Sequence, residues 1–269
     1  MTSIDVAIIQ FPGSNCEYET QECVESVGLS SDIVSWNSSK EHLSTYASFI
    51  LPGGFSFQDR VRAGVVSSKL PILNHLKSFS KEGRPILGIC NGCQILAESG
   101  LVPDTQGSEL LEMALAPNMK ESSSFGFICD WVYVKIKGSG QSVFTKRFDD
   151  DDVLPIPVNH GEGNFKFKDS EFIAKNHVSV MHYCTEDGDV DTRFPVNPNG
   201  SDLNIAGLSN SKGNVFAMMP HPERASFWYQ LPRYLHDDFS RSRRNLSLKE
   251  GPWIKLFESL KDYIREGQL

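Results

Sequence analysis

A doubly wound α/β sheet, mostly parallel and flanked by helices, with antiparallel strands added in its second half, is the fold this sequence predicts. Three observations predict it. The first hundred residues alternate short apolar runs with segments of helical period. Those runs are nearly continuous, as strands buried on both faces are. After residue 125 the pattern turns to alternating segments joined by tight turns. The chain has 269 residues and 39% hydrophobic content, enough for one domain spanning 1–269 with a full core.

The first strand is Ile4-Asp5-Val6-Ala7-Ile8-Ile9, followed by turn chemistry at Pro12-Gly13-Ser14-Asn15. Ser14 or Asn15 is placed to cap a helix that carries Cys16, Thr20, Cys23, Val24 and Val27 at helical spacing and ends at Gly28. Ile33-Val34-Ser35-Trp36 and Phe49-Ile50-Leu51 read as the next two strands. A helix over 72–79 follows, then a strand at Pro85-Ile86-Leu87-Gly88-Ile89 and a helix over 91–99. In the second half, residues 132–136 and 178–183 read as strands. Asn210-Ser211-Lys212-Gly213 reads as the turn of a hairpin between 203–208 and 215–218. Trp253, Leu256, Phe257, Leu260 and Ile264 form the apolar stripe of a final core helix. The acidic run 149–152 reads as a solvated loop, and 226–250 as a surface insertion holding the basic cluster Arg241-Ser242-Arg243-Arg244.

Composition removes several function classes. The net charge of −8 offers no basic face for nucleic acid. No stretch approaches the roughly 20 apolar residues of a membrane span, and the N-terminal residues lack a signal peptide's basic flank and apolar block. Six cysteines in a chain this long are not a disulfide scaffold and read as reduced thiols of a cytoplasmic protein.

The informative segment is Gly88-Ile89-Cys90-Asn91-Gly92-Cys93-Gln94. A strand runs into it and a helix leaves it, with small residues two before and two after Cys90. A sharp strand–turn–helix elbow needs that spacing to present a nucleophile in a strained conformation. At the helix N-terminus the partial positive charge favours the attacking thiolate. Cys90 and Cys93 also make a C-x-x-C pair, so a thioredoxin-like redox pair and a zinc site compete with the elbow. Redox chemistry does not explain Gly88 and Gly92, and the remaining cysteines offer no matching ligand pair for zinc, so no metal is expected.

Pro220-His221-Pro222-Glu223 supplies a base. Proline biases His221 toward extended geometry, in which His221 and Glu223 face the same side. A carboxylate there fixes the imidazole tautomer, leaving the other nitrogen for the sulfur. Pro52-Gly53-Gly54 follows a strand and shares the carboxyl rim with Cys90. The Gly54 and Asn91 amides are therefore the candidate oxyanion hole.

These pieces in this order resemble the class I glutamine amidotransferases, the triad glutaminases, over roughly residues 4–225. The resemblance implies a flavodoxin-like sheet and a Cys90–His221–Glu223 triad. Within the class, four stretches are similar to the glutaminase subunits of phosphoribosylformylglycinamidine synthases in purine biosynthesis. They are Phe11-Pro12-Gly13-Ser14-Asn15-Cys16, Gly53-Gly54-Phe55-Ser56, Cys90-Asn91-Gly92-Cys93-Gln94 and His160-Gly161-Glu162-Gly163. Two positions depart from that pattern: Gln58 stands where glycine is usual, and Asp130 where an arginine is common. The resemblance implies hydrolysis of glutamine through a glutamyl thioester, with Gln94, and more weakly His160 and Gly161, holding the substrate. No G-x-x-x-x-G-K-[ST] loop occurs, so no cofactor is expected on this chain. ATP and Mg would sit on a large synthetase subunit, with a small accessory subunit as a further partner. A sister glutaminase, a cysteine-elbow peptidase or deglycase, and a catalytically silent regulatory subunit are the alternatives.

Overall fold

The computed structural model describes residues 4–120, 123–124, 126–176, 178–232, 234–235 and 250–267. In chain order the elements are β1 (Ile4–Gln10), α1 (Glu17–Ser26), β2 (Ser31–Ser35), α2 (Lys40–Leu43), β3 (Tyr46–Leu51), α3 (Val65–Ser68), α4 (Pro71–Lys81), β4 (Ile86–Ile89) and α5 (Asn91–Ser99). There follow β5 (Met113–Ala116), β6 (Met119–Lys120), β7 (Ser123–Ser124), β8 (Ile128–Ile136), β9 (Val153–His160), β10 (Asn164–Phe167), α6 (Ser170–Lys175), β11 (Ser179–Cys184), β12 (Ile205–Ser209), β13 (Val215–Met218) and α7 (Ile254–Arg265).

A nine-stranded sheet orders these strands β2-β1-β3-β4-β13-β12-β11-β8-β9. The half from β2 to β13 is parallel, and its strand order is that of a flavodoxin-like sheet. From β13 outward every pairing is antiparallel. The doubly wound fold with added antiparallel strands is thus present. The turn at 210–213 closes the β12–β13 hairpin, with the Gly213 amide donating to the Asn210 carbonyl at 3.0 Å.

Burial follows the apolar pattern. Every residue of β4 and of α5 is buried, because α5 packs on β4, β3 and β13. Helix α4 starts with Pro71 at its first turn and buries Ile72, Leu73, Leu76 and Phe79 on one face. The Phe79 ring stacks on Phe49 of β3 with centroids 5.0 Å apart. Helix α7 buries Leu256, Phe257 and Leu260, and Trp253 just ahead of it is fully buried. The Trp253 indole donates to the Pro155 carbonyl at 2.8 Å and so ties α7 to β9.

One local expectation needs correction. Neither Ser14 nor Asn15 caps α1: the N-cap is Cys16, with no side-chain cap bond. Residues 13–16 are committed to the loop after β3 instead. The Asn15 and Cys16 amides donate to the Gly53 carbonyl, and the Phe55 amide to the Gly13 carbonyl. Strand β9 was not anticipated, because the prolines at 155 and 157 disguise it. Proline is tolerated there because β9 is the last strand of the sheet, paired on one side only with β8. The run 149–152 caps the approach to β9 at the surface, where Asp152 pairs with Lys255 at 3.4 Å. The cluster 241–244 lies outside the described residues, as does much of the expected insertion 226–250. Among the described residues no helix is long and apolar enough to cross a membrane.

The loop after β3 is conformationally costly. Phe57, Gln58 and Asp59 all adopt positive φ, at 52°, 61° and 51°. A side chain in this left-handed region costs roughly 1–2 kcal/mol relative to glycine, which explains why glycine suits position 58. Gln58→Gly is therefore expected to stabilise the fold by about 0.5 kcal/mol, after glycine's extra unfolded-state entropy. Gln58→Ala should bring no such gain. Urea unfolding of both variants checks this, and an equal gain from alanine would show that backbone strain is not the cause.

Candidate active site

Three loops at the carboxyl ends of neighbouring parallel strands build the site: 52–55 after β3, Cys90 after β4, and 219–224 after β13. Cys90 has φ 51° and ψ −103°, a left-handed conformation forced on a non-glycine residue between strand and helix. The flanking glycines make this turn possible. A Cβ on Gly92 would run into the Leu51 carbonyl oxygen, and one on Gly88 would lie 2.7 Å from the Gly92 carbonyl. The Cys90 amide donates to the Met218 carbonyl at 2.8 Å, pinning the elbow to β13. Its thiol is 5% exposed and faces the Asn159 carbonyl of β9 at 3.6 Å.

His221 and Glu223 meet as a buried pair, with His221 Nδ1 2.5 Å from Glu223 Oε1 and side chains 2% and 0% exposed. They do not meet along an extended segment. His221 is extended, but Pro222–Arg224 is a single 3₁₀ turn closed by the Arg224 amide on the His221 carbonyl at 3.2 Å. Proline's fixed φ at the first position starts that turn, which carries Glu223 back under the ring. The His221 amide is held by the Pro157 carbonyl of β9 at 2.9 Å. Burial works against a charged imidazole. The Glu223 carboxylate outweighs it, helped by Cys90 and Cys16, so His221 is held well above its ordinary pKa. Its Nε2 has no hydrogen-bond partner among the described residues.

A cleft of about 130 Å³ opens beside Cys90. Gly54, Gln94, His160 and Gly161 all line it, with Phe55 and Phe127 at its mouth. Asn91 is buried behind, its side chain accepting the Ser56 amide at 3.1 Å and donating to Gln94 Oε1 at 2.9 Å. The Gln94 amide is held at both ends, since its Nε2 donates to the Glu162 carbonyl at 2.7 Å. A larger hollow of about 420 Å³, between Leu110, Leu111 and Phe172, contains none of these residues; its charged lining is Glu112, Lys168 and Asp169.

Sequence reading did not single out Cys16, Asp59 or Glu162 as site residues. Cys16 lies against His221: the ligand atoms of Cys16, His221 and Glu223 fall within 4.8 Å of one another. A metal there would have to break the His221–Glu223 pair. Asp59 and Glu162 belong to the cleft lining. The stretch 160–163 that holds Glu162 was visible in the sequence, but Asp59 lies outside every stretch read there, and no spacing marked either carboxylate as facing the cleft.

A cysteine at a strained elbow, a buried imidazole–carboxylate pair and a small cleft at one sheet rim define a cysteine amidohydrolase site. The chain belongs to the CobB/CobQ-like glutamine amidotransferase family, whose model matches residues 3–264. It is 41% identical to the phosphoribosylformylglycinamidine synthase subunit PurQ of Methanothrix thermoacetophila, over 97% of this chain and 98% of that one. It is 40% identical to the subunit of the same name from Aquifex aeolicus, over 82% of this chain and 90% of the relative. Among solved structures, the PurLQS complex of Thermotoga maritima contains a chain that superposes with a TM-score of 0.73 at 31% identity, covering 97% and 99% of the two chains. A second Thermotoga maritima glutamine amidotransferase, at 16% identity and TM-score 0.57, shares the fold.

Proposed function

We propose that this chain is the glutaminase subunit of a phosphoribosylformylglycinamidine synthase. It hydrolyses glutamine to glutamate and ammonia. An ATP-dependent synthetase uses the ammonia to convert formylglycinamide ribonucleotide to formylglycinamidine ribonucleotide. The observation that carries this reading is Cys90 in a left-handed elbow beside the buried His221–Glu223 pair, in a chain 41% identical to a PurQ subunit over nearly its whole length.

His221 takes the Cys90 thiol proton as the sulfur attacks the glutamine carboxamide carbon. The Gly54 and Asn91 amides receive the developing oxyanion. As the tetrahedral species collapses, the C–N bond breaks, and His221 delivers a proton to the departing ammonia. A water deprotonated by His221 then cleaves the thioester, releasing glutamate and the Cys90 thiol. Glu223 holds the Nδ1–H tautomer and stabilises the imidazolium. Gln94, His160 and Gly161 shape the amino-acid end of the cleft. Gln94 acts by holding the Glu162 backbone and Asn91 in place.

ATP and Mg belong to the synthetase partner, with a small accessory subunit completing the complex. A cytoplasmic setting agrees with all six cysteines being free thiols. The test follows nitrogen. With amide-¹⁵N-glutamine, formylglycinamide ribonucleotide, ATP and synthetase, the label should enter the amidine product in near-stoichiometric yield even in excess unlabelled ammonium. The chain alone should hydrolyse glutamine slowly and gain rate with its partner and acceptor. Fast partner-independent hydrolysis, or product without label, would overturn the assignment.

A further inference from the structure

The cleft beside Cys90 is built for a ligand rich in N–H groups. Its side-chain polar lining is Asp59, Gln94, Asn159, His160 and Glu162; no lysine or arginine lines it among the described residues. Asp59 Oδ1 accepts from Asn91 Nδ2 at 3.3 Å, leaving the rest of the carboxylate free of protein donors among the described residues. Glu162 is anchored from behind by the Ala63 amide at 3.2 Å.

His160 is an independent sign of the same preference. It is 2% exposed, and its Nε2 has no partner. Its tautomer is set by Asn118, whose Oδ1 accepts the Gly163 amide at 3.0 Å while Nδ2 donates to the Gly126 and His160 carbonyls at 2.8 Å. That orientation makes Asn118 Oδ1 the acceptor of His160 Nδ1–H at 3.0 Å, so Nε2 carries a bare lone pair. Burial, with the nearby His221, keeps His160 neutral by holding its pKa down at about 3. The cleft therefore combines two carboxylates with a buried neutral acceptor. A volume of about 130 Å³ suits a small molecule rather than a polypeptide segment.

We propose that Asp59, backed by Glu162, takes the α-ammonium group of the substrate and so restricts the cleft to free glutamine, excluding amino-blocked or peptide-bound glutamine. This rests on the glutaminase reading above. Asp59 closes the left-handed run at 57–59 and lines the cleft. Burial first, then the Glu162 charge, raises the Asp59 pKa to about 6 against the opposing Asn91 bond. Arg60 and Arg62 in the same loop are turned onto Gln58 and Glu98. A half-buried carboxylate with no protein cation on it is a suitable partner for an ammonium, whose arrival supplies the missing charge compensation.

The test compares wild type and Asp59→Asn, each assembled with the synthetase. The substrates are L-glutamine and Nα-acetyl-L-glutamine, and Cys90 alkylation by iodoacetamide, which has no ammonium group, is followed in parallel. Asp59→Asn should raise KM for L-glutamine by about 30-fold, as loss of a charged hydrogen bond does, with kcat changed by less than about threefold and alkylation unchanged. Wild type should discriminate strongly against the acetylated substrate, and the variant should not. The fall in wild-type kcat/KM below about pH 6 should flatten in the variant. Asparagine tolerates the left-handed region, but if the variant fails to assemble, Glu162→Gln should show the same KM-only split at a smaller size. An unchanged KM, or retained discrimination, in a variant that still alkylates normally overturns the ammonium site alone. A wild-type complex that alkylates at Cys90 yet never turns over glutamine overturns the glutaminase reading, and this proposal with it.

Discussion

Cys90→Ala is expected to abolish glutamine-dependent amination in the assembled complex, by at least about 10⁴-fold, while amination from added ammonium continues at the wild-type rate. The sulfur is the atom that would bond to substrate carbon, and no neighbour can replace it. Cys16, a second thiol close to the imidazole, is tied up by the Asn15 side chain at 3.0 Å and by Arg224 at 3.2 Å. It is absent from the cleft lining. Cys93 is wholly buried in α5, and that burial pushes its thiol well up. The elbow itself should survive, because its geometry rests on Gly88, Gly92 and the Cys90 amide, none of which the substitution alters. Steady-state rates with each nitrogen source provide the measurement. Loss of both activities in a folded complex would refute the division of labour between glutaminase and synthetase.

Glu223→Gln should lower glutamine hydrolysis on the order of 10³- to 10⁴-fold with little change in the cleft. A carboxylate can only accept, so it enforces the Nδ1–H tautomer; an amide can also donate and permits the unproductive one. The charge matters as well. His221 is buried, yet the Glu223 carboxylate keeps its pKa raised, so removing that charge should move the imidazole titration to lower pH in NMR spectra. The stability consequence has a definite sign. A histidine whose pKa is raised by folding stabilises the native state below its unfolded value of about 6.5 and loses that contribution as pH climbs through the folded value. Glu223→Gln should therefore destabilise the protein more at pH 6 than at pH 9. An imidazole titration that stays where it was would show that the carboxylate does not govern His221.

The elbow and the imidazole–carboxylate pair were the easiest features to read in advance. Gly88, Cys90 and Gly92 announce the elbow because a strand–turn–helix reversal within five residues tolerates so few side chains, and the structure displays the reason in the Leu51 carbonyl against Gly92. The His221–Glu223 pair was legible for the same cause, although its path is a 3₁₀ turn and not an extended segment. Strand β9 was not legible. Its prolines argue against a strand unless one knows that it ends the sheet, and edge position is a property of the assembled topology. Yet β9 supplies the Asn159 carbonyl facing the Cys90 thiol and the Pro157 carbonyl that anchors His221. Asp59 was hidden differently. Its carboxylate reaches the cleft through three successive left-handed residues, and none of Phe57, Gln58 and Asp59 is a glycine that would signal such a turn.

Taken by itself, the sequence determined the fold class, the elbow around Cys90, and the pairing of His221 with Glu223. Each depends on apolar period or on steric limits among residues a few positions apart, which composition and spacing express directly. Only the tertiary structure decided what surrounds Cys90. That depends on β13 slotting beside β4 and on β9 closing the far edge, so that segments near residues 16, 59, 160 and 221 converge on one rim. Contacts between segments so far apart in the chain arise from packing of the whole core, and no local pattern carries them.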